Sequence, residues 1–110
     1  TKSQNLAGER ILGNNTYTGS YTSEANNRNG REVIFGGAST KEKALILSGT
    51  IETESGEAYI RIRQNETVVF PTVKEDGTFR TELLFSSGGN YIMIEYHNFT
   101  GTVTLTSQQN

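Results

Sequence analysis

Apolar and polar side chains alternate along much of this chain with a period of two residues. In residues 43–53, Leu45, Leu47 and Ile51 fall on one face, while mostly polar side chains fall on the other. Successive side chains of a β-strand point to opposite sides, so this pattern predicts a half-buried strand. The same reasoning predicts strands at 31–35, 58–64, 67–73, 78–85, 90–97 and 102–107, and weaker strand character at 16–22. No segment carries the sustained apolar stripe of an amphipathic helix.

Clusters of glycine, asparagine and serine separate these segments at intervals of about ten to twelve residues. In the second half of the chain these clusters are 54–56, 64–66, 75–77, 86–89 and 98–101, and an earlier cluster outside this spacing lies at 26–30. Asp76-Gly77 is the most specific of these signals, because a tight hairpin needs residues that tolerate positive φ. We therefore predict that strands 67–73 and 78–85 pair with each other. Pro71 cannot donate a ladder hydrogen bond, so its strand should lie at a sheet edge or be interrupted there.

Seven or eight short antiparallel strands in 110 residues predict two packed layers. A single open sheet of that size would leave one apolar face in water. The expected fold is an all-β, antiparallel two-sheet β-sandwich, Ig-like or jelly-roll-like. Residues 1–15 are expected to form a flexible arm or spacer, and residues 16–110 a single β-sandwich domain. The side chains expected inside are Phe35, Leu45, Leu47, Ile51, Ile60, Ile62, Phe79, Leu83, Phe85, Ile92, Ile94, Val103 and Leu105.

Composition and charge exclude several classes of function. Ten basic and 12 acidic side chains give a net charge of −2, so no overall field attracts a polyanion, and nucleic acid is not an expected partner. The chain has no cysteine and hence neither a disulfide nor a thiolate metal site. The longest apolar runs, 44–47 and 91–94, are far shorter than the roughly 18 residues of a membrane-spanning helix. Membrane contact is expected only through an N-terminal lipid anchor absent from this chain.

The candidate ligand-binding residues are Tyr59, Arg61 and Arg63. They alternate with Ile60 and Ile62 and should therefore point to solvent on one face. One ring and two guanidinium groups there could recognise an anionic glycan, a carboxylate or an acidic protein patch. The alternative is a small carbohydrate-binding module for a cell-wall or host glycan, which would use exposed tyrosines for stacking. Tyrosines on strands more commonly cover sheet edges and corners.

Catalytic residues are not expected. A Ser-His-Asp triad would need His97 and Asp76, but Asp76 is already assigned to a turn. A glycosidase with paired glutamates is a less favoured hypothesis, since Glu82 and Glu95 are predicted on strands that could be neighbours. Outward charges on a sheet more commonly form solvated cross-strand pairs.

No cofactor is expected either. The densest acidic cluster contains Glu52, Glu54 and Glu57 and is a weak alternative site for calcium, which prefers oxygen ligands in loops. An acidic hairpin tip is the simpler interpretation. His97 has neither a second histidine nor a thiolate close in sequence, so zinc is not expected there.

Two paired-glycine loops and an arginine-bearing strand carry a resemblance to a known group. The segments are 33–39, 54–63, and 87–96 with its continuation at 99–101. Together they resemble small predicted surface lipoproteins of Gram-positive bacteria (Firmicutes), whose exported part is a short β-domain of unknown function. The similarity spans about residues 30–106. In that group the domain follows a lipid-anchored cysteine, a residue type that this chain lacks.

The resemblance implies an extracellular or cell-surface location and supplies no catalytic residue. The expected function is therefore a non-enzymatic extracellular β-sandwich domain that acts as an interaction or adhesion module at the cell envelope, with a protein or glycan as its partner. Edge strands that no disulfide cross-links also allow a homodimer formed by edge-strand pairing.

Overall fold

The computed structural model describes residues 8–13 and 15–110, and its described part is all-β and antiparallel. The six strands are β1 (Glu9–Leu12), β2 (Gly19–Ser39), β3 (Lys43–Gln64), β4 (Thr67–Val69), β5 (Thr78–Phe85) and β6 (Gly88–Gln109). Within these ranges there is no helix, and hence none that could cross a membrane. The predicted fold class, a two-sheet β-sandwich, is confirmed. The expected count of seven or eight short strands is wrong, because three of the six strands are long.

Strand β6 is the centre of the sandwich, and β2 follows it along one side. Residues 19–25 of β2 pair with residues 101–107 of β6, and residues 30–39 of β2 pair with residues 88–96 of β6. Both strands bend between these two sections. The bend carries each strand from one layer into the other.

Strand β3 follows the other side of β6 in the same way. Its residues 45–53 pair with the second half of β6, and its residues 57–64 pair with the first half. Layer I therefore contains β1, the first halves of β2 and β3, the second half of β6, and β5. Layer II contains the second halves of β2 and β3, the first half of β6, and β4.

The bends coincide with clusters that the sequence pattern predicts as turns. Asn27 and Asn98 adopt φ of 52° and 50°, and Gly56 adopts φ of 75°. The pairing register shifts at the corners of β2 and β3. One residue at positive φ makes a bulge that bends a strand while the ladder continues on both sides. These clusters therefore bend strands instead of ending them.

Each corner also changes which side chains face inward. Before the corner of β6 the buried residues have even numbers, and after it they have odd numbers. These residues are Asn90, Ile92, Ile94, Tyr96, and then Phe99, Val103, Leu105 and Ser107. An added residue at a bulge shifts the two-residue alternation by one, so the apolar side stays turned toward the interior.

The turn at Asp76-Gly77 forms as predicted, but the strands around it do not pair with each other. Gly77, at φ 89°, donates its N–H to the Lys74 carbonyl at 2.9 Å. Both β4 and β5 pair with β3 instead, one in each layer, so the predicted pairing of 67–73 with 78–85 is wrong. Strand β3 is long enough to accept both neighbours. The expectation for Pro71 is confirmed, because β4 is an edge strand and ends at Val69.

The predicted interior is confirmed in full. All of the side chains that alternation placed there are buried. The structure adds Tyr17, Tyr21, Ala25, Ile34, Tyr96 and Phe99. Residues 1–7 and 14 of the expected N-terminal arm lie outside the described residues, while Glu9–Leu12 forms β1 on the edge of β2.

A buried carboxylate connects the two layers. Glu32, on the second half of β2, is only 5% exposed. Its Oε1 accepts hydrogen bonds from the hydroxyls of Tyr21 at 2.6 Å and Tyr96 at 3.1 Å, and its Oε2 accepts one from Nη2 of Arg28 at 2.5 Å. Tyr21 lies in layer I and Tyr96 in layer II, so one side chain joins both. Such hydrogen bonds satisfy a buried charged group that would otherwise be costly.

A substitution at the corner of β3 tests the bend. A Cβ on Gly56 would lie 2.0 Å from the carbonyl oxygen of Asn98, at a φ that L-residues rarely adopt. We expect Gly56→Ala to lower the free energy of unfolding by about 1–3 kcal/mol. Urea unfolding measures the loss. Glu54→Ala, at an exposed position of the same corner, is the control and should change it by less than about 0.5 kcal/mol. An unchanged stability in Gly56→Ala would contradict the corner geometry.

Stability at alkaline pH tests the buried network. Burial, and then the hydrogen bond to Glu32, raises the pKa of Tyr21, and burial also raises the pKa of Tyr96. Unfolded tyrosines ionise near pH 10, so the folded state should lose stability as the pH rises above about 10. Each tyrosine should lower the free energy of unfolding by up to about 1.4 kcal/mol per pH unit in this range. Tyr21→Phe should reduce the slope, and Tyr91→Phe, outside the network, should retain it. Equal slopes in all three proteins would count against this account.

Candidate functional site

The three predicted binding residues lie together on the outer face of layer II. Tyr59, Arg61 and Arg63 alternate along the second half of β3, and the intervening Ile60 and Ile62 are buried. Tyr59 is 39% exposed, as the alternation predicts. The strand is flanked by β6 on one side and β4 on the other. This position places the three side chains near the middle of a solvent-facing sheet.

Strand register shows which side chains surround them. On β6, Tyr59 is opposite Glu95, Arg61 is opposite Met93, and Arg63 is opposite Tyr91. The next strand, β2, adds Arg31 opposite Glu95 and Val33 opposite Met93. We call this surface the aromatic–arginine face. Its members are Arg31, Val33, Glu57, Tyr59, Arg61, Arg63, Phe70, Tyr91, Met93, Glu95 and His97.

An exposed aromatic cluster forms the centre of this face. The Tyr59 ring packs edge-on against Phe70, with 6.4 Å between centroids, and against His97 at 5.9 Å. The Arg61 guanidinium lies 5.9 Å from the centroid of the Phe70 ring, a cation–π distance. Phe70 remains 54% exposed. Sequence reasoning missed Phe70, because it follows the short β4 and precedes Pro71, where no alternation marks its orientation.

Glu95 organises the charges beside the aromatic cluster. Its carboxylate lies 2.9 Å from His97 Nε2, 3.4 Å from Arg31 Nε and 3.7 Å from Arg61 Nη1. The hydrogen bond from His97, followed by the charges of Arg31, His97 and Arg61, holds the pKa of Glu95 below its usual value. Glu95 therefore stays negative at neutral pH and holds Arg61 beside the rings.

The two ends of the face differ. At one end, a hydrogen bond to Glu57 raises the pKa of the Tyr59 hydroxyl, so this phenol stays neutral at physiological pH. At the other end, Arg63 donates from Nε to the Asn65 carbonyl at 2.8 Å. There, Arg63 and Tyr91 line an open depression of about 400 Å³ together with Asn65, Glu66 and Gly89. This end of the face, which we call the open end, is thus concave and is bordered by the side chains of Arg63 and Tyr91.

The arrangements considered for catalysis are not assembled. Glu82 pairs across from Ile46 in layer I, whereas Glu95 belongs to layer II, so the two glutamates lie on outer faces of different layers. Asp76 accepts hydrogen bonds from the Thr78 hydroxyl and N–H, which lower its pKa, while His97 pairs with Glu95. Strands β5 and β6 do not pair with each other, so the neighbouring-strand arrangement on which the less favoured paired-glutamate hypothesis depended is wrong.

The acidic cluster considered for calcium is spread over the corner of β3. Glu52, Glu54 and Glu57 are all exposed positions of one strand that bends between them. Within residues 8–13 and 15–110, no three carboxylate or imidazole groups lie close enough together to hold a metal ion. The structure therefore does not bring these glutamates together as a ligand set.

Comparisons with known proteins identify the fold. No protein-family model matches the sequence, and no curated protein sequence matches it. Among solved structures, the pre-peptidase C-terminal domain of a collagenase from Bacillus anthracis is similar, with a TM-score of 0.60 and 13% sequence identity. The match covers 84% of this chain and 90% of that one. At this identity the similarity shows that the two chains share a β-sandwich fold and nothing finer.

Proposed function

We propose that this chain is a non-catalytic interaction module that acts outside the cell, and that it binds an acidic protein surface through the aromatic–arginine face. One observation carries the proposal: exposed Tyr59 and Phe70 pack edge to face, with the Arg61 guanidinium over the Phe70 ring. Tyrosine, tryptophan and arginine are the residue types that most commonly dominate protein–protein binding energy, and aromatic side chains in general are enriched at interfaces.

The charge of the face supports an acidic partner. Arg31 and Arg61 flank Glu95, and Arg63 lies beyond them at the open end. Among the ionisable members of the face, three arginines outnumber Glu57 and Glu95, which gives the face a formal charge of +1 with His97 neutral, whereas the chain as a whole has a net charge of −2. Guanidinium groups bind carboxylates through paired hydrogen bonds, and such contacts gain strength beside apolar rings that exclude water.

The carbohydrate-binding alternative has less support from the side chains. Three of the five tyrosines, Tyr17, Tyr21 and Tyr96, are buried and cannot stack on a sugar. Several asparagines that could bind hydroxyl groups already have partners within the chain. Asn65 accepts a hydrogen bond from the Gly89 N–H, and Asn29 bonds to Asn98 at the strand corners. A glycan ligand is therefore the second candidate, and the binding assay below separates the two.

The location outside the cell rests on two lines of support. The fold is shared with a domain of a bacterial collagenase, an enzyme named for an extracellular substrate. The resemblance to surface lipoproteins of Gram-positive bacteria points to the same location. We extend the proposal to a surface protein that is held to the membrane by a lipid anchor. The sequence encoded before Thr1, and palmitate labelling of the full-length protein, test this anchor. An encoded leader without a lipidated cysteine would rule out the anchor and leave the binding proposal intact.

Binding to acidic probes tests the face. Binding is measured by fluorescence anisotropy with fluorescent probes. One probe is a glutamate-rich peptide, and separate experiments use hyaluronate and peptidoglycan fragments. We expect saturable binding of the peptide, weakened about tenfold or more in Tyr59→Ala and in Phe70→Ala, because aromatic anchors at an interface centre contribute more than about 1 kcal/mol. Val69→Ala, which changes the adjacent exposed position of β4, is the matched control. Saturable binding of a glycan alone, lost in Tyr59→Ala, would establish the second candidate instead.

Salt dependence provides an independent test of the charge contribution. The Debye length falls from about 10 Å at 0.1 M salt to about 3 Å at 1 M, so peptide affinity should fall over that range. Arg63→Ala should lower the affinity at low salt and flatten this dependence. Lys74→Ala removes an exposed cation that is not a member of the face and should change neither. An affinity that is independent of salt would contradict an acidic partner.

A further inference from the structure

The edges of the two layers differ in how well they are protected. Unpaired N–H and C=O groups at a sheet edge can pair with another chain, and short strands or covering side chains prevent this. Strand β1 has four residues, and β4 has three and is followed by Pro71. Both are too short to offer a long edge.

The second half of β2 is an edge that other groups cover. Arg10 donates from Nη1 to the Ile34 carbonyl at 2.9 Å, and the Gly36 N–H donates to the Thr16 carbonyl at 2.8 Å. The Tyr17 hydroxyl donates to the Gly37 carbonyl. Side chains and a loop thus form hydrogen bonds with backbone groups of this edge, so few of its N–H and C=O groups remain to pair with another strand.

Strand β5 presents a long edge without such protection. Its eight residues pair with β3 alone, in an unbroken register from Thr78 to Phe85. Among the described residues, no hydrogen bond reaches the backbone of residues 79–85 from the side opposite β3. The strand has neither a proline nor a bulge, and Leu84 on its outer face is 60% exposed. This edge has the features that allow strand addition.

We propose that β5 pairs antiparallel with β5 of a second copy of this chain, about a two-fold axis at Thr81. This register places Arg80 opposite the partner's Glu82 and, by symmetry, Glu82 opposite the partner's Arg80. On the inward face, Phe79 meets the partner's Leu83, so the apolar layer continues across the axis. Within one chain Arg80 and Glu82 lie 3.6 Å apart and are exposed, which leaves both available for cross-strand pairing.

Charge complementarity selects this register from its alternatives. Directly opposed residues of two antiparallel strands point to the same face of the sheet. In a symmetric pair of β5 strands, inward side chains therefore lie opposite inward ones only when the two-fold axis passes through a residue and not between two residues. An axis at Arg80 would place two arginines opposite each other, and an axis at Glu82 would do the same with two glutamates. Only the axis at Thr81 pairs every charge on the strand with its opposite. This self-complementarity is why we assign the edge to a second copy and not to a foreign strand.

Sedimentation equilibrium over a range of about 10 µM to about 1 mM measures the association. We expect a concentration-dependent rise from the 12.1 kDa monomer to twice that mass. Arg80→Glu and Glu82→Arg should each weaken dimerisation at least about tenfold, because both cross-strand pairs become like-charged. Both positions are exposed, so the variants should fold. A wild-type chain that stays monomeric throughout would overturn the proposal.

Mixing the two variants tests the register itself. Arg80→Glu leaves glutamate at both positions of the strand, and Glu82→Arg leaves arginine at both. One chain of each kind restores both charge pairs, so the mixture should form a heterodimer. The double variant carrying both exchanges should form a homodimer and pair poorly with the wild type. If the mixture stays monomeric while the wild type dimerises, the dimer uses another register or surface, and the proposal is wrong.

A cysteine at the axis gives a covalent readout. Directly opposed Cα atoms of antiparallel strands lie about 4.5–5.5 Å apart, within the range of a disulfide. The chain has no cysteine, so Thr81→Cys should form a cross-linked dimer under mild oxidation, whereas Leu84→Cys, away from the axis, should not. Equal cross-linking at both positions would contradict the axis. Because β5 lies in layer I and the aromatic–arginine face in layer II, these results are independent of the peptide-binding assay.

Discussion

The structure depends on three neighbouring strands bending at the same level. A sheet can fold into two layers only if β2, β6 and β3 turn together, since a corner in one strand alone would break its ladder with the next. Residues with backbone freedom stand at these points: Asn27, Asn98 and Gly56 all have positive φ. The hydrogen-bonded ladders continue through the bends, so the sandwich is closed by backbone geometry in a chain that has no cysteine to cross-link its layers.

The buried network around Glu32 adds specificity to this geometry. Two tyrosine hydroxyls and one guanidinium converge on its carboxylate from both layers. Hydrophobic packing is largely non-directional, whereas this carboxylate is satisfied only when β2 and β6 meet in one arrangement. Tyr21 and Tyr96 of this network are two of the five tyrosines that the composition suggested for stacking on a sugar. Part of the binding capacity that the composition suggested therefore serves to hold the layers together.

Apolar side chains form the interior, so we expect binding sites on the outer surfaces of the two layers, which differ from each other. The outer face of layer II carries exposed Tyr59 and Phe70 beside Arg61, while layer I ends in the open strand β5. A homodimer through β5 would present two aromatic–arginine faces from one particle. Two linked faces raise the effective concentration at a repetitive surface such as a cell envelope, so a weak contact at each face could support firm attachment.

Alternation along the sequence determined the strand-forming segments and the interior, but not the number of strands. Burial of apolar side chains on one side of a strand leaves a period of two that is visible without knowing the partner strand. It also placed Tyr59, Arg61 and Arg63 outside. It could not separate a corner from a turn, since Gly56 and Asn98 serve either purpose. The sequence pattern did not reveal strand pairing either. Strand β5 pairs with β3 and not with its sequence neighbour, and Phe70 meets Tyr59 because β4 also pairs with β3. Such contacts join residues distant in sequence, and only tertiary packing decides among them.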